Sequence, residues 1–167
     1  MSTQNAQDYE VKAGFEKLDG FTVVGLSVIT DNESGADAIN QIWEDFFEKQ
    51  VGQQVEDIRE NDFIYAVYSD YEGDHTKPYR FTLGYKLKDA QAAVPDGLHT
   101  VVTETADYAM LSAAGEQPKA LVEAWTAIWQ SDLDRRFTTD FEIYGPRFFE
   151  EGLNEILLCI GVNNTEE

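Results

Sequence analysis

Cysteine occurs once, histidine twice and proline four times in 167 residues, and 12 basic residues stand against 32 acidic ones. A single thiol, Cys159, cannot close an internal disulfide, so no disulfide framework is expected. Its setting in an apolar strand reads as an inert buried thiol rather than a nucleophile. His75 in a loop and His99 in a strand form neither a Ser-His-Asp arrangement nor a metal-binding spacing, so no catalytic residue, metal or cofactor is expected. A net charge of −20 argues against an electrostatic footprint for DNA or RNA, and the basic residues are scattered. No apolar run approaches the ~20 residues of a membrane span, and residues 1–8 lack the apolar centre of a signal peptide. A cytoplasmic protein with no membrane contact is expected. Heptads, low-complexity tracts and a nucleotide-binding glycine motif are also missing.

What is present is ample material for a core. Hydrophobic residues make up 43% and aromatics 13%, which excludes a disordered chain despite the charge. At this length folding buries about 70% of the unfolded surface. The acidic surface confers solubility or suits a saline setting, and it also raises the local concentration of cationic ligands. The two consequences are compatible.

The chain carries one pattern twice. Ile39, Ile42, Trp43, Phe46 and Phe47 mark one face of a helix, and so do Leu121, Ala124, Trp125, Ile128 and Trp129, with tryptophan in the same slot. Thr22-Val23-Val24-Gly25-Leu26-Ser27 precedes the first helix as Asp107-Tyr108-Ala109-Met110-Leu111-Ser112 precedes the second. Ile64-Tyr65-Ala66-Val67-Tyr68 and Phe141-Glu142-Ile143-Tyr144 follow, and each leads to a further strand. The unit is strand, strand, helix, strand, strand, used twice. This predicts an α+β fold of two pseudo-two-fold units, an antiparallel sheet with two helices. A single domain is expected over 9–162, with halves at about 9–88 and 98–162, a flexible tail at 1–8 and a tail at 163–167.

Along the chain, strands are expected at Tyr9–Leu18, Phe21–Thr30, Phe63–Ser69 and Tyr79–Leu87 in the first half. Ser34, with Asp37 three positions on, resembles a capping box for a helix reaching about Gln50. Val51–Asp62 reads as a polar connection and Asp70–Pro78 as an acidic surface loop. In the second half, strands are expected at Leu98–Thr105 and Asp107–Ala113. Pro118 starts a helix that runs to about Gln130. Ser131–Thr139 reads as a charged loop, with strands at Thr139–Tyr144 and Asn154–Val162.

Glu142 is the leading candidate for chemistry. Alternation places it with Tyr144 on one face of its strand and Phe141 and Ile143 on the other. Such a pair is ordinary on a solvent-facing strand. It also suits a carboxylate set among aromatics as counter-charge to an organic cation, where each ring face adds roughly 0.5 to 2 kcal/mol. Tyr68 is the counterpart of Tyr144 in the other copy, so the two can flank one cleft, and Tyr85 follows in the partner strand. Trp125 lies on a helix stripe, where a tryptophan is more often core than ligand platform.

These residues resemble those of the gyrase-inhibitor-like, or AraC-type effector-binding, domain family. Tyr108-Ala109-Met110, Leu121, Trp125, Ile128-Trp129, Phe141-Glu142-Ile143-Tyr144 and Ile160-Gly161-Val162 look like its second half. Ile64 to Tyr71 and Thr82-Leu83-Gly84-Tyr85 look like its first. The resemblance implies a small-molecule effector-binding protein that takes lipophilic organic cations in a cleft between the halves, with an acidic residue at Glu142. The ligand-binding residues expected are Glu142, Tyr144, Tyr68, Tyr85 and Trp125. Within the family the chain is most similar to stand-alone cationic drug-binding proteins carried on integron gene cassettes. Most regulators of the family also carry a DNA-reading domain, and none is expected in this chain. The expected role is therefore a free-standing sensor in transcription regulation, a drug-sequestering protein, or a subunit that acts on a separate DNA-binding or protein partner. The alternatives are a Glu142-dependent hydrolase of reactive small molecules and a protein-interaction modulator of gyrase or of a DNA-binding subunit. A second departure is Gly161, where the family has proline in the closing strand.

Overall fold

The computed structural model describes residues 9–31, 33, 35–73, 77–89, 91–103, 105–113, 119–129, 135–145 and 156–162. Strand β1 (Tyr9–Leu18) and β2 (Thr22–Thr30) precede helix α1 (Gly35–Glu48) and a short α2 (Val51–Gln54). Strands β3 (Ile64–Ser69) and β4 (Tyr79–Lys86) complete the first unit. The second contains β5 (His99–Val102), β6 (Ala106–Ala113), α3 (Lys119–Trp129), β7 (Arg135–Tyr144) and β8 (Ile156–Val162). The expected tails and the Ser34 cap lie outside the described residues.

All eight strands form one antiparallel sheet in the order β1-β6-β8-β7-β3-β4-β2-β5. Exchanging the two units reverses this order and leaves it unchanged, so the duplication seen in the sequence is a pseudo-two-fold of the sheet. The axis falls where β3 pairs with β7. Because Tyr68 corresponds to Tyr144, Ala66 corresponds to Glu142, and these two residues are direct partners in the ladder. Glu142 therefore sits at the centre of the molecule, opposite its own counterpart. Only one copy carries a carboxylate there, which avoids two like charges facing each other in a buried pair.

The helices cover one face of the sheet. Ile42 and Phe46 of α1 and Ala124, Trp125 and Ile128 of α3 pack with Ala66, Phe81, Leu83, Tyr144, Leu158 and Ile160 in the main core. The opposite face holds a second cluster of Val23, Tyr65, Val67, Tyr108, Phe141 and Cys159. Strands β3, β7 and β8 are buried on both faces, so their side chains alternate between two cores instead of between core and water, with Asp140 and Glu142 as the charged exceptions on the helix side of β7. Cys159 is fully buried, as expected. Strands β2 and β4 cross closely where Gly25 pairs with Gly84. A Cβ on Gly84 would lie 1.9 Å from the Val24 carbonyl oxygen, so the curled sheet requires glycine at that pair.

Three expectations need correction. The polar connection after α1 contains helix α2, anchored by the fully buried Val51 and Val55. It is reached through Gln50, which adopts the left-handed conformation at φ 54°, a common way to end a helix. β7 begins at Arg135, not Thr139, so part of the charged loop is strand, with a register shift between Arg135 and Asp140. β5 is shorter than the stretch to Thr105. Thr103 leaves the ladder and bonds Phe21 through both backbone and side chain.

Candidate functional site

Glu142 is 1% exposed, so the strand face it occupies is not a solvent face. Alternation along β7 turns it toward the helices together with Asp140 and Tyr144, and the ladder sets Tyr68 of β3 beside them, opposite Asp140. The Tyr68 hydroxyl donates to Glu142 Oε2 at 2.8 Å. Trp125 on α3 donates its Nε1–H to the same oxygen at 2.7 Å. Tyr144 donates its hydroxyl to Oε1 at 2.7 Å. Ala66 opposite contributes only a methyl group, which leaves room for the carboxylate above it.

The surroundings are aromatic. Tyr68 contacts Trp125, Phe81 and Tyr79 at centroid distances of 5.1, 5.2 and 5.4 Å. Trp43 of α1 meets Tyr144 edge-on at 5.0 Å, so the tryptophan of one repeat packs on a ring that bonds Glu142 while that of the other bonds Glu142 itself.

This setting is costly for a charge. Burial pushes the Glu142 carboxyl above the usual range, and the hydrogen bonds from Tyr144, Trp125 and Tyr68 only partly offset it. Burial first, then the negative charge of Glu142, holds the Tyr68 and Tyr144 hydroxyls well above the ordinary tyrosine value. Tyr79 is pushed up to about 12 by burial, Glu142 and Asp31. The tyrosines therefore stay protonated and act as donors at neutral pH. No lysine or arginine forms an ion pair with Glu142 among the described residues.

Two residues away on the same face, Asp140 is also fully buried but has a resident cation. Arg135, its side chain 5% exposed, donates from Nη2 to Asp140 Oδ2 at 2.7 Å. The Tyr71 hydroxyl and the Gly161 backbone N–H, the latter at 2.7 Å, donate to the same carboxylate. Tyr71 follows Asp70, whose φ of 53° turns the chain out of β3, a conformation that aspartate tolerates. Gly161 is the position where the resembled family has proline. A proline there has no N–H to give Asp140, so a residue other than proline is what this bond to the buried ion pair requires. Burial raises the Asp140 carboxyl, with Arg135 the largest opposing influence.

Tyr68, Tyr144, Trp125 and Glu142 thus meet in one cluster, whereas Tyr85 does not join it. Tyr85 stacks on Phe46 at 5.4 Å and lies under the Arg59 guanidinium at 4.9 Å. Its hydroxyl faces Gly52 of α2. The motif that pointed to Tyr85 placed it on the correct face, but β4 carries it away from the axis. Trp125 is at once core and hydrogen-bond donor. Asp140 carries a sequence signal of its own, since alternation from Glu142 includes it. Arg135 carries none, because the irregular start of β7 hides its direction. Among the described residues no cluster suited to a metal ion is present.

Comparison with known proteins agrees with this architecture. The family described as integron-associated effector binding protein matches residues 15–162. The Bacillus subtilis (strain 168) protein YobU, named as a candidate transcriptional regulator, is 26% identical over 133 residues, 76% of this chain and 82% of that protein. The integron cassette protein VCH_CASS2, from the mobile metagenome of Vibrio cholerae, superposes with a TM-score of 0.72 at 21% identity, covering 94% of this chain and all of that one. SAV2435, solved bound to tetraphenylphosphonium, superposes with a TM-score of 0.73 at 15% identity, covering 92% and 94%. At these identities the solved structures share the fold with this chain.

Proposed function

Because the chain belongs to the integron-associated effector binding protein family, we propose that its effector is a lipophilic organic cation held at Glu142. The observation that carries this reading is the contrast between two buried carboxylates on one strand face. Asp140 is neutralised by Arg135, while Glu142 has three neutral donors and no basic partner among the described residues. A carboxylate in that state is poorly compensated, and a positive ligand supplies what the fold withholds. The faces of Tyr68, Trp125 and Tyr144 add cation–π attraction, which favours a broad, weakly hydrated cation over a metal or a primary amine. The tetraphenylphosphonium held by the similarly folded SAV2435 is a ligand of this kind. Since Glu142 is 1% exposed, the rings that cover it must move to admit a ligand, and association is slow relative to an open cleft. In the cell the protein acts as a sensor for, or a sink of, such cations, in keeping with the regulator name of YobU.

A thermal-shift screen of lipophilic cations tests the reading. At 100 times its dissociation constant a ligand adds about 2.7 kcal/mol of stability. Tetraphenylphosphonium and cationic dyes are expected to raise the melting temperature, whereas tetraphenylborate, the same shape with opposite charge, is expected not to. Equal shifts by both ions would contradict the reading.

A further inference from the structure

The Arg135–Asp140 pair sits against the proposed site. Asp140 precedes Glu142 by two residues on one strand face, a separation of roughly 7 Å from the rise of an extended chain. Trp125 joins the two carboxylates. Its Nε1–H bonds Glu142, and its ring lies 5.8 Å from the Arg135 guanidinium carbon. Tyr71 likewise bonds Asp140 and lies 5.9 Å from the guanidinium carbon. Arg135 therefore occupies the kind of setting proposed for the ligand: a cation on a buried carboxylate between aromatic rings.

We infer that Arg135 is a built-in cation that limits the site to ligands of one positive charge. Two buried carboxylates and one guanidinium leave a single unbalanced negative charge, so the ligand complements it with one positive charge. A second charge on the ligand, carried a few ångströms from the first, meets the guanidinium where it would need Asp140. The inference rests on the reading of Glu142 as counter-charge and adds a specificity determinant to it.

Ethidium and propidium share a fused aromatic cation, and propidium carries a second quaternary charge on its side arm. Their affinities are measured by fluorescence at high salt, which screens the general attraction of the acidic surface. Wild type is expected to bind ethidium at least ten times more tightly than propidium. Arg135→Met, which keeps an apolar stem and frees Asp140, is expected to reverse or abolish that preference. Arg135→Met combined with Asp140→Asn removes both charges and is expected to restore it. Asp140→Asn alone leaves the cluster neutral, and ethidium is expected to weaken at least fivefold. The last two variants decide the matter if Arg135→Met does not fold, as judged by near-ultraviolet circular dichroism. An ethidium-to-propidium ratio that stays unchanged in Arg135→Met overturns the inference, as does unchanged ethidium affinity in Asp140→Asn, while ethidium binding that still depends on Glu142 leaves the broader reading intact. Failure of wild type to bind either dye, or undiminished ethidium binding by Glu142→Gln, overturns both together.

Discussion

Replacing Glu142 by glutamine should stabilise the ligand-free protein at neutral pH while impairing binding. The geometry accepts the amide. Its carbonyl oxygen in the place of Oε2 still accepts from Tyr68 at 2.8 Å and Trp125 at 2.7 Å. Its NH2 group in the place of Oε1 donates to the Tyr144 oxygen, 2.7 Å away, once that hydroxyl rotates. Three charge-assisted bonds become neutral ones, a loss of roughly 2–5 kcal/mol in total. Against this stands the removal of a desolvated carboxylate with no basic partner, a penalty of several kcal/mol. The upward displacement of the Glu142 carboxyl indicates that burial outweighs the bonds. The variant is therefore expected to be more stable than wild type at pH 7, each kcal/mol of gain raising the melting temperature by about 2–4 °C at this size.

The pH dependence fixes the cause. A carboxyl whose pKa is raised in the fold holds its proton more tightly there than in the unfolded chain. Its contribution to stability is fully present below the unfolded value, about 4.3. It is lost as pH rises through the folded value, with a slope of at most ~1.4 kcal/mol per pH unit. Asp140 is present in both proteins and cancels in the difference. The advantage of glutamine should then vanish near pH 4 and grow toward pH 7. Urea denaturation of both proteins across this range measures it. Glutamine costing more than about 1 kcal/mol at pH 7, or a difference that does not change with pH, would refute the reasoning.

Trp125→Phe removes the Nε1 donor 2.7 Å from Glu142 Oε2. It is expected to destabilise the protein by about 2–4 kcal/mol at pH 7, from one hydrogen bond to a charged group plus lost packing. The Glu142 carboxyl then rises further, so cation affinity should fall more steeply between pH 7 and pH 5 than in wild type, as titrations at the two values would show. Tyr85→Phe removes a hydroxyl that faces α2 and takes no part in the Glu142 cluster. Its affinity for tetraphenylphosphonium is expected to stay within about twofold of wild type, and a tenfold loss by calorimetry would return Tyr85 to the site.

The sequence showed the duplication clearly because helix stripes and strand alternation repeat in the same order. The correspondence of Tyr68 with Tyr144 locates the pseudo-axis once the strand pairing is known. Sequence also picked out Glu142, but not its burial. A Glu-Tyr alternation looks the same whether the face meets water or a helix layer, and only the packing of α3 over β7 decides. No short-range pattern ties Trp43 and Tyr79 to Glu142, whereas Asp140 shares its strand face by alternation but gives no sign of burial. Trp43 and Tyr79 arrive from α1 and β4, and Asp140 is defined by its pairing with Arg135 across a register shift. The short α2 was hidden by polar residues, with Val51 and Val55 too few to set a period.

The central claim is that Glu142 is the counter-charge of a bound cation. Titration calorimetry of tetraphenylphosphonium against wild type and Glu142→Gln, at low and high salt, tests it most directly. Loss of one buried charged partner predicts a deficit of about 2–5 kcal/mol, roughly 30-fold to several thousand-fold in affinity, that persists at high salt. A deficit that is small and erased by salt would mean that the acidic surface alone attracts the ligand and that Glu142 is an ordinary residue of its strand.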